Sequence, residues 1–142
     1  MDRLSYSVKI EGPLFDRRGK RQIQRESFEA IEELLYIGEN FLMKRLRPQP
    51  AGAYISLGEG GTSTGNYRRN ISSESDQLRM LGEIHDGGVK YGPWLEGVSS
   101  RNRATRFKGY HSFQLASQLV QKEGKEVLQK HMRKFVRRQN KR

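Results

Sequence analysis

Apolar residues recur at helical spacing in two long stretches of the chain. In the first, from about 20 to 46, Phe28, Ile31 and Leu35 follow a period of 3.6 residues, with glutamates on the opposite face. The second, from about 112 to 138, has no proline and one glycine. Its apolar stripe consists of Phe113, Ala116, Val120, Val127, Leu128, Met132, Phe135 and Val136. Both stretches are predicted to be amphipathic helices.

Alternation of apolar and polar residues predicts short strands in three other places. The opening SYSVKIEG, residues 5–12, alternates and is then interrupted by Gly-Pro. Residues 66–75 and 77–86 are predicted to form two further strands of a meander, with Asp-Gly-Gly at 86–88 as the following turn.

A loop is predicted at residues 48–66, which are rich in Gly, Ser, Thr and Pro and leave room for a short strand at 53–57. Glycines beside Ser and Thr can present backbone amides to a phosphate. A P-loop, however, ends in Gly-Lys-Ser/Thr and opens a helix, whereas Gly65 is followed by Asn, Tyr, Arg and a predicted strand. We therefore expect a surface loop without a nucleotide site.

The element order is strand, long helix, β-meander, aromatic connection and long helix. This order predicts an α+β fold, in which a small antiparallel sheet packs against a long N-terminal and a long C-terminal helix. A length of 142 residues suits a single domain spanning 1–142. Leu, Ile, Val and Phe together provide 32 residues, so the core should be small.

The net charge of +11 is distributed unevenly along the chain. Residues 16–25 carry a net +4, and residues 26–43 carry −5. Residues 101–108 carry +4, and residues 129–142 carry +7. A basic surface attracts phosphate and acidic protein surfaces alike, so the charge leaves nucleic acid, another protein or another copy of this chain as alternatives.

Several classes of function are not expected. The chain has no cysteine, and His85, His111 and His131 share no ligand-like spacing, so we expect surface or half-buried histidines, no metal site and no cofactor. No apolar run approaches the roughly 18 residues of a membrane span, and the start lacks a signal-peptide pattern. We expect an intracellular protein, or one released from cells only by lysis, with no membrane partner.

Catalytic motifs are also absent from the sequence. No serine or threonine lies in a nucleophile setting such as GxSxG. Glu83 and Asp86 lie near His85, but alternation along a strand directs Asp86 to the opposite face from the histidine. We therefore expect no enzymatic activity.

The C-terminal run KHMRKFVRRQNKR is the strongest candidate for nucleic-acid binding. Its cations can neutralise several phosphates, and Phe135 is able to stack on a base. In the alternative interpretation the run is a solvated helix end, with Phe135 packed on the core and cations favoured by the helix dipole. The candidate contacts to DNA or to an acidic partner are Lys130, Arg133, Lys134, Arg137 and Arg138.

The segment YGPWLEG, residues 91–97, contains the only tryptophan. Tyr91 and Trp94 suit a hydrophobic lid on the sheet and a subunit interface equally well, because both residues supply large area with few torsions to freeze. The carboxylate of Glu96 suggests an ionic contact, within or between subunits, with the arginine-rich loop that follows. The candidate interface residues are Tyr91, Trp94, Glu96, Arg101, Arg103, Arg106 and Phe107.

In their order and spacing, three motifs resemble the small neck or tail-completion proteins of long-tailed bacteriophages, especially phages of actinobacteria. The first is TGNYRRNI, residues 64–71, with Thr64, Gly65, Tyr67 and Arg69 as its motif residues. The second is YGPWLEG, and the third is the pair Arg106-Phe107, followed by the closing helix. The resemblance extends from about Phe28 to the C-terminus.

The resemblance implies a structural protein at the head–tail junction, with no catalysis. It implies a ring of copies, with a hexamer favoured and a dodecamer as the alternative, and contact with head-completion, tail-terminator or tail-tube proteins. The expected location is the virion neck, after assembly in the host cytoplasm. The basic C-terminal run would then face an adjacent ring or the packaged DNA.

Overall fold

Two long helices and three short strands are the main elements of the computed structural model, which describes residues 3–7, 17–46 and 65–141. The fold is α+β, with a long N-terminal helix, an antiparallel sheet and a long C-terminal helix, as predicted. In chain order the elements are β1 (Arg3–Ser7), α1 (Arg17–Arg45), α2 (Asn66–Arg69), β2 (Ser72–Asp76), β3 (Leu81–His85), α3 (Gly92–Glu96), α4 (Ser100–Ala104) and α5 (Ser112–Gln139).

The two long helices form an antiparallel pair. The side chain of Gln22, early in α1, bonds with that of Gln139 at the end of α5. Near the other end, the guanidinium of Arg45 donates to the carbonyl of Tyr110 (3.0 Å). Burial of each leucine or valine side chain between the helices contributes about 1.5–3 kcal/mol. The buried cluster between them consists of Ala30, Leu34, Val120 and Val127.

The sheet has the strand order β1–β3–β2, with both pairs antiparallel. β2 and β3 are consecutive, while β1 joins the far side of β3. The central strand lies against α1 at Gly82, where an added Cβ would be 2.7 Å from Cγ2 of Ile31 and 2.9 Å from Cδ1 of Leu35. The missing side chain lets strand and helix approach closely and seats the sheet on one face of α1.

The predicted helices are confirmed, and the predicted strands are observed with different bounds. The first strand, predicted at 5–12, is β1 at Arg3–Ser7, and residues 8–12 lie outside the described part of the chain. The predicted loop up to residue 64, with its short strand, also lies outside it.

Residues 66–69 form α2 rather than the start of a strand. Gly65 has a left-handed backbone (φ 70°), which turns the chain into the helical turn. The side chain of Asn70 donates to the carbonyl of Asn66 (2.8 Å) and closes this turn before β2 begins. The sequence signal is the glycine beside two asparagines, residue types that favour local turns over strands.

A turn at residues 77–80 replaces the start of the predicted second strand. Oδ1 of Asp76 accepts hydrogen bonds from the amides of Leu78 (2.9 Å) and Arg79 (3.0 Å). This Asx turn joins β2 to β3 as a hairpin. The predicted turn at 86–88 is confirmed. Among the described residues, no helix is both long enough and apolar enough to span a bilayer.

Candidate functional site

The two longer motifs pack against each other. The amide of Asn66 donates to the hydroxyl of Tyr91 (2.8 Å), and the ring centroids of Tyr67 and Tyr91 are 6.1 Å apart. Tyr67 is buried, whereas Arg69 is exposed. Of the predicted motif residues, Thr64 lies outside the described chain, and the others form or border α2, which lies beside α3.

Residues 91–110, which we call the aromatic corner, are built around three rings. The centroid of Phe107 is 4.7 Å from that of Trp94 and 5.0 Å from that of Tyr110. Trp94 and Phe107 are half-buried and pack within the chain, and the guanidinium carbon of Arg101 lies 5.1 Å from the Trp94 centroid. Trp94 thus packs within its own chain, as in the interpretation of this residue as a hydrophobic lid. Burial raises the pKa of the neighbouring Tyr110 hydroxyl.

Glu96 was predicted to pair with the arginine-rich loop, and this prediction is wrong. Glu96 is buried, and its two carboxylate oxygens accept from the backbone amides of Phe113 (3.0 Å) and Gln114 (2.9 Å). The residue before α5, His111, provides no side-chain cap and has a left-handed backbone. Glu96 caps the helix in its place, where the dipole favours a negative charge. Its site is therefore interior, not an interface.

The arginine-rich loop is more ordered than predicted, because it contains α4. Ser99 and Asn102 form a capping box at its start. The buried amide of Asn102 donates to the carbonyls of Trp94 (2.9 Å) and Phe107 (3.1 Å), which ties the loop to the rings. The signal in the sequence is Ser99 followed three residues later by Asn102.

Three predicted interface arginines remain at the surface of the aromatic corner. Arg101, Arg103 and Arg106 are all exposed. Within the described ranges, Arg103 and Arg106 have no hydrogen-bond or ion-pair partner. Tyr91 is 37% exposed and Val98 is 64% exposed, so the same surface carries apolar area.

A buried charged cluster joins α1 to α5, and sequence reasoning missed it. His131, predicted to be surface or half-buried, is buried, with Nδ1 3.2 Å from Oε2 of Glu26 and Nε2 2.8 Å from Oε2 of Glu33. Arg138 pairs with Glu26, and Lys130 pairs with Glu33. The signal was available in part, since an unbroken acidic block and a basic helix suggest mutual attraction.

The pKa of Glu33 is lowered from its ordinary value of 4.5. The principal cause is the hydrogen bond from Lys130, and His131 acts in the same direction, while partial burial opposes both. Lys130 and Arg138 are held in ion pairs with α1, although about half of each side chain is exposed, so their contact with DNA or an acidic partner stays a prediction.

In the described chain, one group has the spacing of metal ligands. Donor atoms of Glu26, Glu29 and His131 lie within 4.8 Å of one another. Oε1 of Glu29, the carboxylate oxygen that does not face His131, accepts from Nε of Arg25 (3.0 Å), and Glu26 already pairs with Arg138. The basic side chains around these donors already neutralise the carboxylates, so the arrangement is that of an ion-pair network.

The remaining cations of α5 are more available. Arg133, Lys134 and Arg137 are exposed and have no hydrogen-bond or ion-pair partner in the described part of the chain. Phe135 is buried, so the interpretation in which it packs on the core is confirmed and base stacking is excluded. This surface is cationic but offers no stacking ring from Phe135.

His85 supports the end of the sheet. Its Nδ1 accepts from the amide of Gly87 (3.1 Å), and Nε2 lies 3.2 Å from Oε1 of Glu74. In the neutral ring the proton must therefore be on Nε2. Asp86 is buried, with Oδ1 accepting from the amide of Gly88 (2.9 Å). Both residues thus hold the turn at 86–88.

Comparisons with protein-family models, curated proteins and solved structures found no match to this chain. The geometry of the aromatic corner and of α5 is therefore the basis for interpreting function.

Proposed function

We propose that this chain is a structural protein of the neck of a long-tailed bacteriophage, which completes the tail or joins tail to head as part of a ring. In this proposal it catalyses no reaction and works through contacts with its own copies and with head-completion, tail-terminator or tail-tube proteins.

The observation that carries the proposal is the way the motif segments come together. Residues 66–69 and 91–97 are distant in sequence, yet they are joined by the Asn66–Tyr91 hydrogen bond and the Tyr67–Tyr91 ring contact. Glu96 then links this unit to α5. A rigid unit that presents exposed arginines and apolar area suits an assembly surface, since pre-ordered groups lose little entropy on binding.

The position of each motif residue refines the proposed contact. Trp94, Phe107 and Glu96 support the surface from inside, while Tyr91, Arg101, Arg103 and Arg106 are available to a partner. Arginine suits such a surface because its guanidinium can bind carboxylates in a bidentate way.

Electron microscopy of a phage lysate in which this gene alone is inactivated tests the proposal. We expect DNA-filled heads beside unattached or malformed tails, and rescue by the wild-type gene. The double variant Arg103→Glu/Arg106→Glu should fail to rescue, whereas Lys122→Glu/Lys125→Glu should rescue, since it makes the same charge change on exposed residues of α5. Intact, joined virions without the gene would refute a neck function.

Nucleic-acid binding through α5 is the second candidate, favoured by the free cations Arg133, Lys134 and Arg137. Each neutralised phosphate contributes about −0.9 to the slope of log K against log salt, so three cations predict a slope of about −2.7. Fluorescence anisotropy with a labelled DNA duplex measures it. Arg133→Gln/Arg137→Gln should reduce the slope by about 1.8, and Lys122→Gln/Lys125→Gln should leave it unchanged. Binding that disappears at physiological salt would count against this candidate.

A further inference from the structure

The tip of the β2–β3 hairpin presents a leucine to solvent. Leu78 is 98% exposed, the highest value among the exposed large apolar residues of the described chain. Its backbone is held by Oδ1 of Asp76, and Oδ2 of the same carboxylate lies 3.4 Å from Nε of Arg79. A single exposed leucine is ordinary on a protein surface. Here, however, it lies on an ordered turn, which lowers the entropy lost on docking.

The hairpin is acidic in a chain that is strongly basic. Between residues 72 and 85 it carries Glu74, Asp76 and Glu83 against the single cation Arg79, while the whole chain has a net charge of +11. Glu74 and Glu83 are directly opposed in the strand register, and the side chain of Glu74 is 72% exposed despite its contact with His85. The exposed carboxylate of Glu74 is therefore the charge of the hairpin that a cationic partner can reach.

The aromatic corner has the complementary character. Arg101, Arg103 and Arg106 are exposed there beside the apolar surface of Val98 and Tyr91. The hairpin tip carries a leucine beside carboxylates, and the aromatic corner carries apolar area beside guanidiniums. The two surfaces are therefore complementary in charge and both contain apolar area. Complementary charge favours correct partners and register more than it adds affinity.

The two surfaces lie at opposite ends of β3. The strand begins at Leu81 beside the tip and ends at His85, after which Asp86 contacts Gly92 at the start of α3. Five residues of strand span about 16 Å at about 3.3 Å per residue. The hairpin tip of one copy is therefore not expected to contact the aromatic corner of the same copy. A contact between different surfaces of two copies is heterologous, and repetition of it generates a ring if the rotation closes.

We propose that the hairpin tip of one copy docks on the aromatic corner of the next copy, with Leu78 against Val98 and Tyr91 and with Glu74 facing Arg103 and Arg106. The occupant of the corner is a second copy of this chain. The inference rests on the ring assembly proposed above and names the surfaces that would form it.

Disulfide trapping tests this contact directly, because the natural chain has no cysteine. The full-length variant Leu78→Cys/Val98→Cys is purified, oxidised and separated by non-reducing electrophoresis. We expect a ladder beyond the dimer, because each copy then links to two neighbours. Leu78→Cys alone should remain mainly monomeric, and the pair Leu78→Cys/Val136→Cys should give no ladder, since Val136 is exposed on α5 away from the corner.

Charge exchange provides the second measurement. Adding Glu74→Arg to the trapping variant should abolish the ladder, as should adding Arg103→Glu/Arg106→Glu, and combining all three reversals should restore it. No ladder in the starting variant, or no restoration by the combined reversals, would overturn the proposal. Failure of this contact leaves the gene-inactivation phenotype intact, whereas joined virions without the gene would refute the neck function even if a ladder forms.

Discussion

A buried carboxylate organises the start of the last helix. The first amides of a helix have no partner within it, and Glu96 binds two of them from another element, 17 residues before Phe113. Likewise, His131 lies between carboxylates on α1, and both contacts are hydrogen bonds only when the ring carries two protons. At the scale of the residue, charge in this protein serves mainly to join elements.

Removal of the carboxylate in Glu96→Ala should destabilise the protein by about 1–3 kcal/mol, since one buried and one part-buried amide lose their acceptor. Urea unfolding followed by circular dichroism measures the change. The matched control is Glu126→Ala, an exposed position on α5, which should change stability by less than about 0.5 kcal/mol. Equal effects of the two substitutions would contradict the capping role.

The variant Glu33→Gln should show a pH-dependent loss of stability. The pKa of Glu33 is lower in the folded state than its ordinary value of 4.5. Its ion pair therefore stabilises the protein fully at pH values above 4.5, and this stabilisation is lost as the pH falls through the lower folded-state pKa. The difference in unfolding free energy between wild type and variant should therefore be largest near neutrality and shrink in acid. Urea unfolding at several pH values from 7 to 3 measures it, and a difference independent of pH would disagree with the assigned ion pair.

At the scale of the element, close packing sets where the strand and the long helix meet. Gly82 allows β3 to lie on Ile31 and Leu35 of α1. On the neighbouring strand, Ser73 donates to Glu39 and Ser75 to Glu32, so hydrogen bonds from the same helix extend across the sheet. The face of α1 that carries glutamates therefore contacts protein on two sides.

Two glycine-to-alanine substitutions should have opposite effects. Gly82→Ala places a methyl group against buried side chains and should cost about 1–3 kcal/mol. Gly124→Ala meets no atom within 4 Å in the interior of α5, and it should stabilise the protein by about 0.5–1 kcal/mol. Thermal or urea unfolding distinguishes them, and destabilisation by Gly124→Ala would indicate a contact that the fold does not contain.

At the scale of the whole molecule, the charges divide into those paired between the two long helices and those without an ion-pair partner in the described chain. Lys130 and Arg138 hold the helix pair together, while the arginines of the aromatic corner and three cations of α5 face outward. This division determines which charges are open to a partner. Of the many cations behind the net charge of +11, only those on a few surfaces are candidates for binding.

Assembly through the hairpin and the corner should weaken as salt rises. Between about 0.1 and 1 M salt the Debye length falls from about 10 to about 3 Å, which screens exposed pairs such as Glu74 with Arg106 of the next copy. Light scattering should therefore report a lower mean mass of the wild-type chain at high salt, while circular dichroism shows the fold retained. A mass that grows with salt would point to an apolar contact instead.

The sequence by itself determined both long helices, the fold class and the order of the main elements, because amphipathic periodicity over about 28 residues is a strong local signal. It also identified the aromatic segment, but not its roles. Contacts between distant residues decide three points: whether Trp94 faces inward, which amides Glu96 caps, and which cations remain without a partner. Only the tertiary structure decided these points, since local patterns report the face of an element but not what packs against it.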